Sequence, residues 1–90
     1  TALIDLDQAV ALDDSDDRGY NRRGVVHFRK KDYDNAIKDY TQAIRLNPHD
    51  SILHANRGDA YREKRDYKRA ISNYDQAIWL NSRSASAFRG

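Results

Sequence analysis

The sequence predicts an all-α fold built of stacked antiparallel helix hairpins. The first indication is an internal repeat. Residues 30–47 align with residues 64–81 at a shift of 34, with eleven identical pairs, where about one would arise by chance. The second is the spacing of apolar residues, which recur within each copy at i, i+3, i+4 and i+7, as on one face of a helix. Nothing alternates as a strand would, so each repeat is expected to fold as two helices.

Local signals in the sequence set the helix boundaries. Asp32 and Asp66 each stand just before an apolar periodic segment, where the carboxylate can accept a backbone N–H as an N-cap. Asn47-Pro48 ends a helix because the residue before proline avoids the helical region, and Asp50 can open the next helix. The predicted helices cover about residues 2–12, 18–30, 33–46, 52–64 and 67–80, and another begins near residue 84.

Small residues occupy matching positions in the two copies. One glycine lies on the first helix of each pair and two alanines lie on each second helix: Gly24, Gly58, Ala36, Ala43, Ala70 and Ala77. Without bulk at these positions, two antiparallel helices can approach closely while neighbouring tyrosines fill the space between layers. A glycine within a helix costs about 1 kcal/mol relative to alanine, so close packing must compensate.

This pattern of residues resembles the tetratricopeptide repeat. The matching residues are Gly24, Tyr33, Ala36, Tyr40, Ala43 and Pro48, echoed by Gly58, Tyr61, Tyr67, Ala70, Tyr74 and Ala77. The resemblance covers nearly the whole chain and implies that the hairpins stack as a right-handed α-solenoid. It implies the second helix of a truncated repeat at 1–16, full repeats at 17–50 and 51–84, and the start of a further helix at 85–90.

The chain departs from the family pattern at a few positions. Arg23 and Arg57 stand where the family commonly has leucine, and Ser82 replaces the proline that ends a repeat. We expect both arginines to lay their methylene stems on the neighbouring helix and to carry their charged heads to water.

Composition and spacing argue against catalysis, cofactors and metals. The chain has no cysteine, which excludes disulfides, zinc-thiolate sites and cysteine nucleophiles. Its three histidines include no i, i+4 pair, and its four glycines are isolated rather than grouped in a phosphate-binding loop. We therefore expect a protein that is not an enzyme, with no catalytic residue, no cofactor and no metal site.

No apolar run approaches the roughly 18 to 20 residues that a membrane helix needs, and a cytoplasmic location is the expectation. Because the chain also lacks methionine, we expect it to be a piece of a longer protein.

The family resemblance implies a concave groove, lined by the first helix of each repeat, that receives an extended peptide or a partner's helix. Alignment with the family assigns to this groove Arg18, Asn21, Arg22, Val25, Phe28, Arg29, Ile52, Ala55, Asn56, Asp59, Arg62 and Glu63. Three arginines share one helical face by their spacing alone, namely Arg18, Arg22 and Arg29. Guanidinium groups bind carboxylates through paired hydrogen bonds, so the expected ligand is an acidic peptide.

The ends of the array suggest a second use, which is self-association. Apolar residues are expected to be exposed at the two ends of the stack, namely Leu3, Leu6 and Val10 at one end and Ile78, Trp79, Leu80 and Phe88 at the other. Because Trp79 stands where the preceding repeat has Arg45, it marks either a contact with another molecule or packing on a further repeat. A homo-oligomer through these ends is one predicted assembly.

Nucleic acid is the rival partner from another class. The net charge is only +2, but residues 1–17 hold six acids and no base, whereas all 16 bases lie in residues 18–90. A basic region with interleaved tyrosines permits phosphate binding. The bases are, however, spread over several helix faces and the acidic N-terminal part would repel a phosphate backbone, so the sequence favours a protein partner.

Overall fold

Four α-helices form the part of the chain that the computed structural model describes, which is residues 16–89, with side chains for residues 16–82. In chain order they are α1 (Asp17–Arg29), α2 (Tyr33–Leu46), α3 (Ser51–Glu63) and α4 (Tyr67–Arg89). Residues 16–89 contain no β-strand, and the all-α prediction is confirmed. The helix predicted at 2–12 lies outside the described residues.

The four helices form two stacked hairpins. α1 packs along α2, α3 packs along α4, and α2 and α3 join the hairpins. α1 also touches α3, so the first helices of the two hairpins lie side by side and form one inner surface. This is the arrangement that the 34-residue repeat predicted.

Aspartates open all four helices, and each accepts backbone N–H groups that the first turn of a helix leaves without a partner. The side chain of Asp32 accepts from the amide of Asn35, that of Asp50 from Ile52 and that of Asp66 from Arg69. The predicted N-caps are therefore present. Side-chain hydrogen bonds from Asn35 and Arg69 hold the pKa of Asp32 and of Asp66 below the ordinary value.

The turns within the two hairpins share one geometry. Asp32 N–H donates to the carbonyl of His27 at 2.8 Å, and Lys31 N–H donates to the carbonyl of Phe28 at 2.9 Å. These two bonds define a Schellman motif. Lys31 occupies its left-handed position with φ 65°, and Arg65 occupies the same position in the second hairpin with φ 66°. A basic residue thus stands in both turns where glycine is usual.

Close approach at the glycines builds the core of each hairpin. A Cβ added at Gly24 would lie 2.7 Å from Cε1 of Tyr40, and one at Gly58 would lie 3.0 Å from Cε1 of Tyr74. The alanines that face them are buried, with Ala36 0% exposed. The glycine and alanine positions are therefore those where the helices meet, as the sequence pattern indicated.

Two features differ from the sequence-based expectation. The first is that α4 continues through Arg89, where the repeat led us to expect an end near residue 80 and a new helix near 84. Asn47 ends α2 immediately before Pro48. The equivalent site in the second repeat is Ser82, which can continue a helix because it keeps its backbone N–H.

The second difference concerns the arginines expected to reach water. Arg23 instead donates two hydrogen bonds, of 2.8 and 2.7 Å, to the carboxylate of Asp39, which is 4% exposed. Arg57 donates to Asn73 at 2.8 Å. The expectation was wrong because each arginine meets a polar side chain on the paired helix, and a buried carboxylate requires such a partner.

Candidate peptide-binding groove

A cavity of about 210 Å³ opens on the inner surface where the two hairpins meet. Its walls come from three helices, namely Val25, Phe28 and Arg29 of α1, Tyr40 of α2, and Asn56 and Asp59 of α3. Five of these six residues were assigned to the groove from the sequence, and the structure brings those five together around one cavity. Tyr40 was assigned to the core alone, and its contribution to the cavity was missed.

The apolar part of this cavity is positioned by packing between α1 and α2. Val25 and Phe28 are half-buried and lie against the core cluster that Tyr40 belongs to. The ring of Phe28 stands edge-on to that of Tyr33, with centroids 5.3 Å apart and planes at 70°, which is a favoured arrangement of aromatic rings. The cavity therefore presents an apolar wall held by neighbours rather than a mobile side chain.

Two asparagines tie the inner helices together. The amide of Asn56 on α3 donates to the carbonyl oxygen of Asn21 on α1 at 3.0 Å. Both residues were predicted to face the groove, and both are half-buried. Their hydrogen bond links the two inner helices at the groove surface.

Asp59 places a negative charge in the cavity wall. It accepts a hydrogen bond from the hydroxyl of Tyr74 and lies 3.8 Å from a guanidinium nitrogen of Arg62. Burial and this hydrogen bond raise the pKa of Tyr74 to about 12. Burial, followed by the negative charges of Asp59 and Asp39, raises the pKa of Tyr40 to about 12. Both phenols are therefore neutral at physiological pH and can act as hydrogen-bond donors.

The arginines of the groove face differ in how they are engaged. Arg22 and Arg29 are exposed. Arg18 is also exposed but forms a 3.0 Å ion pair with Asp16, the residue that caps α1. Hydrogen bonds from the side chain of Arg18 and from its backbone N–H hold the pKa of Asp16 below its ordinary value. Arg22 and Arg29 are thus the two groove arginines best placed to meet a ligand.

The remaining groove residues lie on α3. Ile52 is 63% exposed at the start of the helix, and Ala55 is half-buried. Arg62 also approaches Glu63 at 3.7 Å, so the end of α3 carries both signs of charge. The sequence-based inference of an acidic ligand considered the arginines of the groove but not the carboxylates of Asp59 and Glu63.

Three of the end residues expected to be exposed have described side chains, and all lie on α4. Ile78 and Trp79 are 63% and 54% exposed, whereas Leu80 is 4% exposed. The expectation for Leu80 was wrong because it follows the buried Ala77 by three residues and so shares the buried face of the helix. Leu3, Leu6 and Val10, and the side chain of Phe88, lie outside what the structure describes. Self-association therefore stays a prediction.

Within residues 16–82, no three His, Asp or Glu side chains are grouped so that they could hold a metal ion. His27 instead faces the carboxylates of Asp32 and Asp39 at 3.6 and 3.7 Å, and His54 contacts the carbonyl of Pro48 at 3.0 Å. None of the described helices combines the length and the apolar character required to cross a bilayer.

Two stacked helix hairpins with a groove across their first helices define a helical repeat protein. Comparison with family models matches residues 18–50 and, separately, residues 39–72 to the tetratricopeptide repeat, so the matches together span residues 18–72. The chain belongs to the tetratricopeptide repeat family, whose members serve as protein-interaction scaffolds. No curated protein sequence matches it significantly.

Solved structures show the same fold. A crystal structure of MamA superimposes with a TM-score of 0.90 at 24% identity, over 93% of this chain and 49% of that one. Another MamA crystal structure gives 0.87 at 25% identity, over 94% and 46%. A third, described as MamA MSR-1 C2, gives 0.85 at 22% identity, over 88% and 45%. The present chain therefore spans about half the length of these proteins.

Proposed function

We propose that this protein is a non-enzymatic interaction module that binds an extended, acidic segment of a partner protein in the groove between α1 and α3. The observation that carries the proposal is the cavity beside Val25 and Phe28, with Arg29 in its wall and Arg22 exposed on the same helix. One bound peptide could therefore contact both the apolar cavity and the arginines of α1.

The apolar wall is suited to one buried side chain of the ligand. A cavity of about 210 Å³ accommodates a side chain such as leucine, whose burial stabilises binding by about 1.5–3 kcal/mol. The wall formed by Phe28 and Val25 supplies the contacts. The ligand's acidic residues would then flank this anchor and meet Arg22 and Arg29 through charge-assisted hydrogen bonds.

Asp59 restricts which ligands fit. A carboxylate placed directly over the cavity would meet Asp59, whereas one placed along α1 meets arginine. The proposed ligand therefore carries its negative charges on the side of the anchor that faces α1, and like charges near Asp59 would oppose binding.

The test is binding of a fluorescein-labelled decapeptide in which glutamates flank a single leucine, measured by fluorescence anisotropy. The same peptide with glutamine in place of each glutamate is the matched probe. We expect Arg22→Glu and Phe28→Ala each to weaken binding by about tenfold or more, as removal of a buried anchor or of a charged partner does in other interfaces. Lys38→Glu makes the same charge change at an exposed position of α2 and should leave the affinity unchanged.

Equal binding of the glutamate and glutamine peptides would contradict the acidic ligand, and full binding by both groove variants would contradict the groove itself. A random oligonucleotide serves as the rival probe. Several cations are already paired with carboxylates, including Arg18, Arg23 and Arg69. We therefore expect no oligonucleotide binding, whereas binding with a steep salt dependence would favour a nucleic-acid partner.

A further inference from the structure

A polar cavity of about 260 Å³ lies between α3 and α4 and shares no residue with the cavity of the groove. We name it the α3–α4 cavity. None of its lining side chains is a carboxylate, and Arg57 supplies a permanent positive charge. The cavity therefore favours a negatively charged ligand. Its lining residues are His54, Arg57, Ser72, Asn73 and Gln76.

The first hairpin shows how the equivalent arginine is satisfied. At a shift of 34 residues, Arg57 corresponds to Arg23. Nε and Nη2 of Arg23 donate to the two carboxylate oxygens of Asp39 at 2.8 and 2.7 Å. The guanidinium also lies over the ring of Tyr20, 5.7 Å from its centroid. A carboxylate and an aromatic ring thus surround the charge of Arg23.

In the second hairpin, Asn73 replaces Asp39, and Arg57 keeps only one of the two acceptors. Its Nε donates to Oδ1 of Asn73 at 2.8 Å, as Nε of Arg23 does to Asp39. The other end of the Asn73 side chain is an amide nitrogen, which donates to the carbonyl of Arg69 at 2.7 Å and cannot accept a hydrogen bond. Nη2 of Arg57 therefore lacks the acceptor that the second oxygen of Asp39 provides in the first hairpin.

Nη2 of Arg57 is open to a ligand. Arg57 forms one further hydrogen bond within residues 16–82, from Nη1 to the hydroxyl of Thr41 at 3.3 Å, and no ion pair. No buried side-chain nitrogen or oxygen in this part of the chain lacks a hydrogen-bond partner. Because Nη2 has none, it must reach the surface, and the α3–α4 cavity is the opening that Arg57 lines.

His54, which replaces Tyr20, adds a hydrogen-bond acceptor. Its Nε2 lies 3.0 Å from the carbonyl oxygen of Pro48. Because a carbonyl can only accept, Nε2 carries the hydrogen, and Nδ1 of the neutral ring has the lone pair. Nδ1 makes no hydrogen bond within the described residues, so it is not buried either. The ring as a whole is 7% exposed and is held in place by its neighbours.

Ser72 and Gln76 complete the cavity with neutral donors. They lie one turn apart on α4, and both are exposed, so the hydroxyl and the amide can turn toward a ligand. Two exposed charges stand close to them on the same helix, namely Lys68 and Asp75. These charges have opposite signs, and the guanidinium of Arg57 decides the sign of the field in the cavity.

A further helix packed on α4 would leave this cavity open. The residues of α2 equivalent to Ser72 and Gln76 are Lys38 and Gln42. Although α3 packs on α2, Lys38 stays exposed and Gln42 stays half-buried. The cavity is therefore a property of the second hairpin itself, where a serine leaves room that the longer lysine occupies in the first.

We propose that the α3–α4 cavity binds one phosphate group, with Arg57 as the charged contact and Ser72 and Gln76 as neutral donors. Guanidinium N–H groups pair with two phosphate oxygens at once. Donors from three side chains suit the three or four oxygens of a phosphate better than the two of a carboxylate. The lone pair on Nδ1 of His54 favours a phosphate that keeps a proton. Inorganic phosphate keeps one near neutral pH, whereas sulfate and most of a phosphoserine population do not.

The test is a titration of ¹⁵N-labelled protein with sodium phosphate at pH 7.5, in which sodium chloride keeps the ionic strength constant. Sodium sulfate, sodium acetate and phosphoserine are the comparison ligands. We expect saturable shifts of the backbone amides of residues 72–76 and of the side-chain amide of Gln76. Each comparison ligand should bind at least about threefold more weakly than phosphate, as expected for the loss of one hydrogen bond.

Variants identify the contacts. Asn73→Asp rebuilds the arginine–carboxylate pair of the first hairpin and should abolish phosphate binding while the fold is kept. Asn81→Asp makes the same change at an exposed position of α4, where a carboxylate can still accept from the hydroxyl of Ser51, and should leave binding unchanged. Arg57→Lys keeps the charge but loses the paired donors, and should weaken binding about tenfold. Circular dichroism would verify that all three variants remain helical.

Three results would overturn the proposal. Shifts that do not saturate would show that phosphate has no site, and undiminished binding in Asn73→Asp would show that Arg57 is not the contact. Sulfate, acetate or phosphoserine binding as tightly as inorganic phosphate would overturn the assignment to a phosphate that keeps a proton. Arg22→Glu, the groove variant, should leave phosphate binding unchanged, so this proposal and the proposed function can fail independently.

Discussion

At the scale of single residues, equivalent positions of the two repeats form the same contact between paired helices with different side chains. Arg23 binds the carboxylate of Asp39, whereas Arg57 binds the amide of Asn73. The amide nitrogen of Asn73, a donor that a carboxylate lacks, donates to the backbone carbonyl of Arg69 at 2.7 Å. The helix contact thus requires a polar acceptor on the second helix but does not require that the acceptor be charged.

The two glycines give a prediction in which each hairpin serves as the control for the other. Gly24→Ala gains about 1 kcal/mol of helix propensity, but its Cβ would lie 2.7 and 2.8 Å from ring atoms of Tyr40, which is 2% exposed and cannot move aside. Overpacking of this kind costs about 1–3 kcal/mol. We expect a net loss of up to about 2 kcal/mol in the free energy of unfolding, measured by urea denaturation.

Gly58→Ala should be milder. Its Cβ would lie 3.0 and 3.1 Å from the ring of Tyr74, which is only partly buried and can shift outward. A change within about 0.5 kcal/mol is expected, because the gain in propensity offsets the contact. Equal losses at both glycines would contradict this distinction.

At the scale of elements, the clearest sequence signals gave the most accurate boundaries. The predicted helix at 33–46 agrees with α2, Tyr33–Leu46, because a capping aspartate precedes it and Asn47-Pro48 follows it. The C-terminus of α4 had no comparable signal. Repetition alone suggested an end near residue 80, and a missing proline is weaker information than a proline that is present. The repeat boundaries 17–50 and 51–84 stay predictions.

Contacts between elements were less accessible from the sequence. Helical spacing identifies which residues share a face, but Asp39 lies 16 residues from Arg23, and their meeting depends on how two helices are aligned. For the same reason Tyr40 was identified as a core residue but not as part of the groove. Five cavity residues were predicted because family alignment supplies the tertiary arrangement that spacing lacks.

The Schellman turns supply the prediction for this scale. Lys31 and Arg65 hold left-handed backbone angles, which disfavour any residue with a Cβ by about 1–2 kcal/mol. Glycine adopts these angles without strain but loses more entropy on folding. Lys31→Gly and Arg65→Gly should therefore each stabilise the fold by about 0.5–1 kcal/mol, seen as a higher urea midpoint.

The control for this prediction is Lys30→Gly. Lys30 adjoins Lys31 but does not have a positive φ, so the same substitution there should be neutral or destabilising. Stabilisation at Lys30 as large as at Lys31 would show that removal of charge, and not relief of backbone strain, is responsible.

At the scale of the whole molecule, two phenols with raised pKa values predict how stability depends on alkaline pH. The pKa of Tyr40 and of Tyr74 is raised from 10.0 to about 12 in the folded chain. Their contribution is fully present below pH 10. It is lost between about pH 10 and 12, where the unfolded chain releases protons that the folded chain retains. We expect the free energy of unfolding to fall through this window in denaturant titrations.

Tyr40→Phe should reduce this alkaline loss, because it removes the buried phenol. Tyr67→Phe removes a phenol that is 57% exposed and is the matched control, for which the alkaline loss should match that of the parent. If the parent protein shows constant stability up to pH 12, the assignment of these groups is wrong.

The hydrogen bond between Asn21 and Asn56 has a consequence for how this molecule responds to its medium. Both partners are uncharged amides, so dissolved ions do not screen their interaction as they screen that between a guanidinium and a carboxylate. Raising the ionic strength should therefore weaken the binding of a charged ligand, while the separation between α1 and α3 stays the same.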